Sequence, residues 1–306
     1  MKKGGLSKTT LLIMLISLIC NVKAATYTVV NTNDSGDGSL RQAMTQATSS
    51  FMGNSSIVFN IPPSDPNYSP DKGTFTIHLQ SELPYLLVGG NITIDGTTQA
   101  SNQGDTNPNG PEIVIDGGTL SLPTCFRIAS QNNTIKGFDI IGFQYAILFF
   151  GANGGSVSDC YIGLNADGES LPDNGISYGI GLSGGSYGGY DLGYARNITV
   201  SNNTIAGCSV AAIALVSVSD NTITQNRIGN NGIIALPNSQ GIYLTSASAN
   251  NVISDNVISG NENAGIVMES GGTSNNVVVG NMIGTDGSGT LPLGNHYGII
   301  VMTNAN

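Results

Sequence analysis

Residues able to do chemistry are sparse in this chain: of 306 positions 10% are charged, and there are two histidines and four cysteines. The polar groups that recur in phase fall into two columns. One holds Asp139, Tyr161, Thr204, Arg227, Val257 and Met282, and the other Asp159, Asn202, Gln225 and Asp255. Asp139 and Arg227 lie three repeats apart, as do Asp159 and Asp255, which at ~4.8 Å per repeat is ~14 Å. Proton transfer needs ~3 Å, and a glycoside-cleaving carboxylate pair ~5 to 10 Å. Neither column is therefore expected to be catalytic, and no catalytic residue is assigned. His78 alternates outward between Ile77 and Leu79, and His296 sits in the last long loop; both read as surface histidines.

Two loops hold more. Asn165, Asp167, Glu169 and Asp173 crowd oxygen ligands into one turn. Ca²⁺ would fit such a set, but a solvated Asp-Gly turn is the expectation, and no cofactor is assigned. Ser183 to Ala195 is an insertion of glycines and aromatics that presents Tyr187, Tyr190 and Tyr194. Tyrosines on such a loop can stack on sugar rings, or else pack down over the edge beneath them. They are the candidate carbohydrate-binding residues.

These loops hang on a repeat. The unit reads Asn-x-(Ile/Val)-x-x-Asn-x-Ile, a turn, then Gly-Ile-x-(Leu/Met/Val), which is two short strands with a bend between. Its first apolar position recurs at Ile135, Val157, Val200, Ile223, Ile253 and Val278, with Ile140, Ile162, Ile205, Ile228, Ile258 and Ile283 five residues on. The second strand recurs at Ile147, Ile180, Ile213, Ile242, Ile266 and Ile299. Unequal intervals put the length variation in loops, which closure entropy tolerates. Stacked coils of this kind are a parallel β-helix, taken as right-handed because such crossovers nearly always are.

Between the apolar positions stand Phe138, Cys160, Asn203, Asn226, Asn256 and Asn281. The four asparagines are expected to adopt the left-handed bend and bond to one another as an internal ladder. Cys160, on the same column, is expected to be a buried small side chain. The insertions Ile162–Pro172, Ile228–Pro237 and Ile283–Pro292 are variants of one long turn on every second coil. They are expected to form a ridge with a spacing of ~10 Å.

At the N-terminus, three early lysines, an apolar run from Leu11 to Ile19 and Val22-Lys23-Ala24 read as a signal peptide over residues 1–24. The run is too short to span a bilayer, and Ile19 argues against lipid attachment at Cys20. Without the leader, 6 basic residues face 20 acidic ones, a charge of −14, so nucleic acid and anionic membranes are poor partners. The three remaining cysteines give no disulfide framework. From Ser39 the chain should form a short amphipathic helix, N-capped by Ser39 with Gln42 three residues on, that closes the first coil.

The segment Val30–Ala43 with its Ser-Leu-Arg, followed by Ile57–Pro62, Ile77–Pro84, Ile92–Gly96 and Ile113–Gly117, resembles the capped first coils of bacterial secreted and surface right-handed parallel β-helix proteins, in the pectate-lyase-like superfamily. The Ile283–Asn295 turn is similar to theirs as well. The resemblance covers nearly the whole exported chain and implies the fold; that family hosts adhesins and polysaccharide-active enzymes alike. The polygalacturonase signatures Asn-Thr-Asp, Gly-His-Gly and Arg-Ile-Lys are absent from the sequence.

The expected architecture is all-β: a signal peptide over 1–24, an N-terminal cap over 25–61 and a right-handed parallel β-helix over 62–306. The expected function is an exported, non-enzymatic, adhesin-like protein, secreted or on the cell surface, that binds glycans or host surfaces. The alternative is a polysaccharide lyase or glycoside hydrolase acting on acidic polysaccharide. The expected partner is a polysaccharide or surface glycan, without a transmembrane helix. The last coil, ending in Gly298–Asn306, is expected either to continue into further coils or to self-associate.

Overall fold

The computed structural model describes residues 24–49, 54–118 and 122–302. Their strands form three long sheets of nine, nine and eight strands. The first sheet begins at Ala25–Val29 and ends at Val277–Val279, the second runs from Tyr68–Ser69 to Met282–Ile283, and the third from Leu122–Ile128 to Tyr297–Val301. Each complete coil gives one short strand to each sheet, and copies on successive coils pair in parallel. Among the described residues two antiparallel pairs interrupt this: Tyr68–Ser69 with Thr74–His78, and Ile176–Tyr187 with Tyr190–Tyr194. The chain is a right-handed parallel β-helix.

All three apolar columns pair as the repeat predicts. Val157 faces Ile135 and Val200, Ile162 faces Ile140 and Ile205, and Ile180 faces Ile147 and Ile213. The repeat unit nevertheless holds three strands, not two. What reads as one bent strand is split between the first and second sheets by a corner residue at positive φ: Asp159 (57°), Asn202 (56°), Gln225 (57°), Asp255 (56°) and Gly280 (68°). The left-handed bend thus belongs to the residue before each ladder asparagine, a correction to the expectation that the asparagine itself bends. Turning the corner one residue early leaves the next side chain pointing inward.

That inward side chain makes the ladder. Asn226 Oδ1 accepts from the backbone N–H and Nδ2 of Asn203, Asn256 Oδ1 does the same for Asn226, and Asn281 Oδ1 for Asn256, all within 2.9–3.0 Å. Asn203 Oδ1 extends the series to the backbone N–H of Cys160. Two further ladders run at the other corners: Asn221–Asn251–Asn276 and Asn238–Asn261–Asn295.

The leader and Cys20 lie outside the described residues, which begin at Ala24. The helix forms over Leu40–Ser49 and buries Leu40, Ala43, Met44 and Ala47 against the first two strands of the first sheet. Ser39 Oγ accepts the Gln42 N–H, and Gln42 Oε1 accepts the Gly38 N–H. Arg41 ties the helix to the next coil through the carbonyls of Ser81 and Glu82, and to the turn before it through the carboxylate of Asp34, so each residue of the Ser-Leu-Arg motif has a structural task. The Asn-, Gly- and Pro-rich segment Thr97–Pro111 contains a short helix, Thr98–Gln103. The buried Gln99 amide holds it to both the N–H and the carbonyl of Ile61.

The long turns form the expected ridge and touch. Asn231 Nδ2 donates to Gly168 O and the Gly287 N–H to Gly232 O, both at 3.0 Å. Each turn leaves its strand through a glycine at positive φ. At Gly163 (φ 75°) a Cβ would lie 2.2 Å from Ala206 O, which explains the Ile-Gly at the start of the motif. At the last described coil Val277, Val279, Ile299 and Val301 are exposed.

Candidate functional site

Among the described residues, two places on the solenoid carry side chains that the fold itself does not use. The first is the tyrosine insertion. After Ser183 the strand Ile176–Tyr187 leaves the third sheet and doubles back as an antiparallel hairpin with Tyr190–Tyr194. Gly188 and Gly189 turn the tip at φ 59° and 84°, and two positive φ values are what a twist-matched two-residue turn requires. Tyr187, Tyr190 and Tyr194 are 49%, 77% and 62% exposed, so they do not pack down over the sheet edge. Glycine at 184 leaves room for the Tyr194 ring across the hairpin, since a Cβ there would come within 2.6 Å of it.

Behind the tip, Tyr187 meets Tyr85 edge to face at 6.1 Å, and the Arg127 guanidinium lies over the Tyr85 ring at 4.8 Å. The Tyr85 hydroxyl donates to Glu82 and accepts from Arg127. Partial burial, reinforced by Glu82, raises its pKa above the usual tyrosine value. The hairpin and the 81–87 segment flank an open groove of about 520 Å³ lined by Arg41, Ser81, Glu82, Tyr85 and Tyr187. This arrangement combines aromatic faces with polar groups around a groove, the chemistry that takes up sugar rings.

The second place lies over the early coils of the second sheet. Three loops converge there. Thr106 Oγ1 donates to Gly73 O, Asn107 Nδ2 donates to both Pro111 O and Ala166 O, and the Tyr161 hydroxyl donates to Asn109 O. They enclose a cavity of about 390 Å³ lined by Asp71, Lys72, His78, Asp116, Asp139 and Asp167. Asp139 faces outward from its strand, yet the loops bury it, and its Oδ1 has no hydrogen-bond partner among the described residues. Burial pushes its carboxyl well above the usual carboxylate range, helped by Asp167 and Asp116 and opposed by Lys72. Leaving such a buried oxygen unpaired costs on the order of 1–3 kcal/mol.

Asp116 is on the preceding coil. Its Oδ1 accepts from the Gly118 N–H and from Asn174 Nδ2, each at 2.7 Å, and its Oδ2 lies 3.1 Å from His78 Nδ1. It also borders a second groove of about 770 Å³ with Phe143, Gln144 and Asp173. The carboxylates are therefore closer together than the two columns alone imply. Asp139 and Arg227 are indeed three pairings apart through Tyr161 and Thr204. But Val114 pairs with Asp139, which puts Asp116 on the adjacent strand and only two residues along. The missed signal was the Asp ending Ile113–Asp116, on a coil without a ladder asparagine to mark its phase. His78, read as an ordinary surface residue, is exposed but stands against this carboxylate.

In the Asn165–Asp173 turn, Asp167 Oδ1 is spent on the N–H groups of Glu169 and Ser170. No group of three or more His, Cys, Asp or Glu among the described residues has metal-holding geometry. Cys125, Cys160 and Cys208 are buried and unpaired. Burial raises all three thiols, that of Cys160 up to about 12.

A family model described as "Right handed beta helix region" matches residues 85–283. A search of curated proteins finds no match. Among solved structures, a mutant tailspike protein of E. coli bacteriophage HK620 in complex with a pentasaccharide aligns at 11% identity and a TM-score of 0.40, over 92% of this chain and 54% of that one. PfbA, a surface adhesin of Streptococcus pneumoniae, aligns at 14% identity and a TM-score of 0.33, over 84% of this chain and 71% of that one. The chain thus spans about half the length of the tailspike chain.

Proposed function

The chain belongs to the right-handed beta helix family, and from its own surface we infer that it is an exported protein that binds glycans through the Tyr187–Tyr194 hairpin. The observation that carries this reading is the exposure of three tyrosines on a hairpin that the solenoid does not need. A tyrosine ring gives a flat apolar face to the C–H face of a sugar and a hydroxyl to its oxygens, with little side-chain entropy to lose. Tyr85 and Arg127 support the base of the platform. The leader-like sequence of residues 1–24 supports export, and the charge of −14 that remains beyond it disfavours nucleic acid and anionic lipid as ligands.

On a glycan array, the chain should give a defined binding pattern that disappears when Tyr187, Tyr190 and Tyr194 are all replaced by Ala, while circular dichroism and the unfolding midpoint stay unchanged. Equal binding by the triple variant would move the function off this hairpin.

A further inference from the structure

We propose that the acidic cavity over the second sheet is a hydrolytic site for a neutral glycosidic bond, with Asp139 as general acid and Asp116 as general base. Asp139 is 1% exposed, and its Oδ1, unpartnered among the described residues, belongs to a side chain that lines the cavity, so the fold holds a carboxyl there that no hydrogen bond from those residues uses. Buried polar groups are almost always bonded, and an orphan in a cavity marks a place where something else supplies the partner.

The pair geometry agrees. Val114 pairs with Asp139, so Asp116 lies one strand over and two residues along. With strands ~4.8 Å apart and ~3.3 Å per residue, the two β carbons are about 8 Å apart. Side chains rooted at that spacing on one face can set their carboxyl groups at the ~6.5–9.5 Å that leaves room for a water between acid and base. Both sit on strands of a rigid sheet, not on mobile loops. Their surroundings push them into different roles. Asp139 is shielded from water and pressed by neighbouring carboxylates, which keeps it protonated, whereas Asp116 accepts bonds from Gly118 and Asn174. Asp116 also borders both the 390 Å³ cavity and the 770 Å³ groove, so a polymer running from one to the other passes across it.

In the step itself, a water held by Asp116 attacks the anomeric carbon and gives its proton to Asp116. The bond from that carbon to the leaving sugar breaks as Asp139 delivers its proton to the departing oxygen. Asp116 ends protonated and Asp139 ionised, and exchange with solvent restores both. His78, beside Asp116 Oδ2, is a positioning residue. The sugar is neutral because four carboxyl groups, of Asp71, Asp116, Asp139 and Asp167, face one lysine and one histidine across the cavity. A uronic acid polymer would be repelled.

This site is separate from the tyrosine hairpin and does not depend on it. The test incubates the full chain with galactan, mannan, xylan, mixed-linkage glucan and dextran, and with polygalacturonate, and reads released reducing ends. At least one neutral polymer should be cut, with inverted anomeric configuration in the proton NMR spectrum of the fresh product, and polygalacturonate should not. Asp116→Asn and Asp139→Asn should each lower the rate by about 10³-fold. Asp139→Asn should recover on a dinitrophenyl glycoside of the same sugar, whose leaving group needs no acid; a merely structural role would not give that recovery. No cleavage of any neutral polymer, retained activity in both variants, or equal loss of Asp139→Asn activity on the dinitrophenyl substrate would overturn the proposal. The hairpin's glycan-array pattern should persist in both variants, so failure of one reading leaves the other standing.

Discussion

The early and late coils solve the same packing problem with different materials. All eight phenylalanines precede residue 151, and in the early core Phe138 meets Phe59 edge to face at 5.4 Å and Phe126 at a tilt at 5.6 Å. The late coils contain none; they stack isoleucine, valine and leucine between three asparagine ladders. In the late region Asn226, Asn251 and Asn256 each bond to a copy on the coil before and a copy on the coil after, which occupies their amides. In the early region the corners are irregular, the loops are long, and buried groups such as Asp139 Oδ1 are left without partners. Regular repetition spends its polar chemistry on itself, and only where repetition lapses are groups free to meet a ligand.

The sharpest way to break this contrast is to remove a rung of a ladder. Asn256→Leu strands the backbone N–H of Asn226 and takes the amide donor from the carbonyl of Ile223 in the core, and should cost ~3 kcal/mol. A denaturant midpoint equal to that of the parent would show that the ladder contributes nothing. Next is Arg41→Met, which cuts the ties of the N-terminal helix to Ser81, Glu82 and Asp34 and should cost ~2 kcal/mol. Loss of amide-exchange protection confined to the helix and the first coils would distinguish this from a global effect.

Asp139→Asn should act in the opposite direction. The folded state holds the Asp139 proton more tightly than the unfolded chain does, so the parent's stability is greatest below the unfolded carboxyl pKa and falls as pH rises toward the raised folded one. The Asn variant does not titrate, and its advantage should grow from pH 4 upward by at most ~1.4 kcal/mol per pH unit. A constant difference between the two melting curves from pH 4 to 8 would contradict the burial. The smallest effect is expected at Cys160: with its thiol pushed up to about 12, it should stay unlabelled by iodoacetamide at pH 8 in the native protein and react on denaturation.

The late coils were the legible part of the sequence. Isoleucine repeated with period two fixes a strand's inward face, and an asparagine between two such positions fixes the corner. One ladder was visible in this way. The second, through Asn251 and Asn276, was hidden because each follows another asparagine in what reads as a plain turn, and the third because Asn238, Asn261 and Asn295 follow turns of unequal length. The hairpin tyrosines were visible by composition. Asp139 was visible as a column member, but its burial was not, since that comes from the closure of loops around Gly73, Asn107 and Ala166, and loop closure has no period.

The contacts between the long turns change how the solenoid comes apart. A stack in which each coil touches only its neighbours is a one-dimensional chain of couplings and frays coil by coil from its ends. The bonds from Asn231 to Gly168 and from Gly287 to Gly232 join turns two coils apart. They add a next-nearest coupling, so a coil between two long turns cannot be peeled away without also breaking the clasp that bridges it. Pulled from its ends, the region from Ile162 to Ile283 should therefore give up its length in two-coil steps, as a strap clasped at every second link.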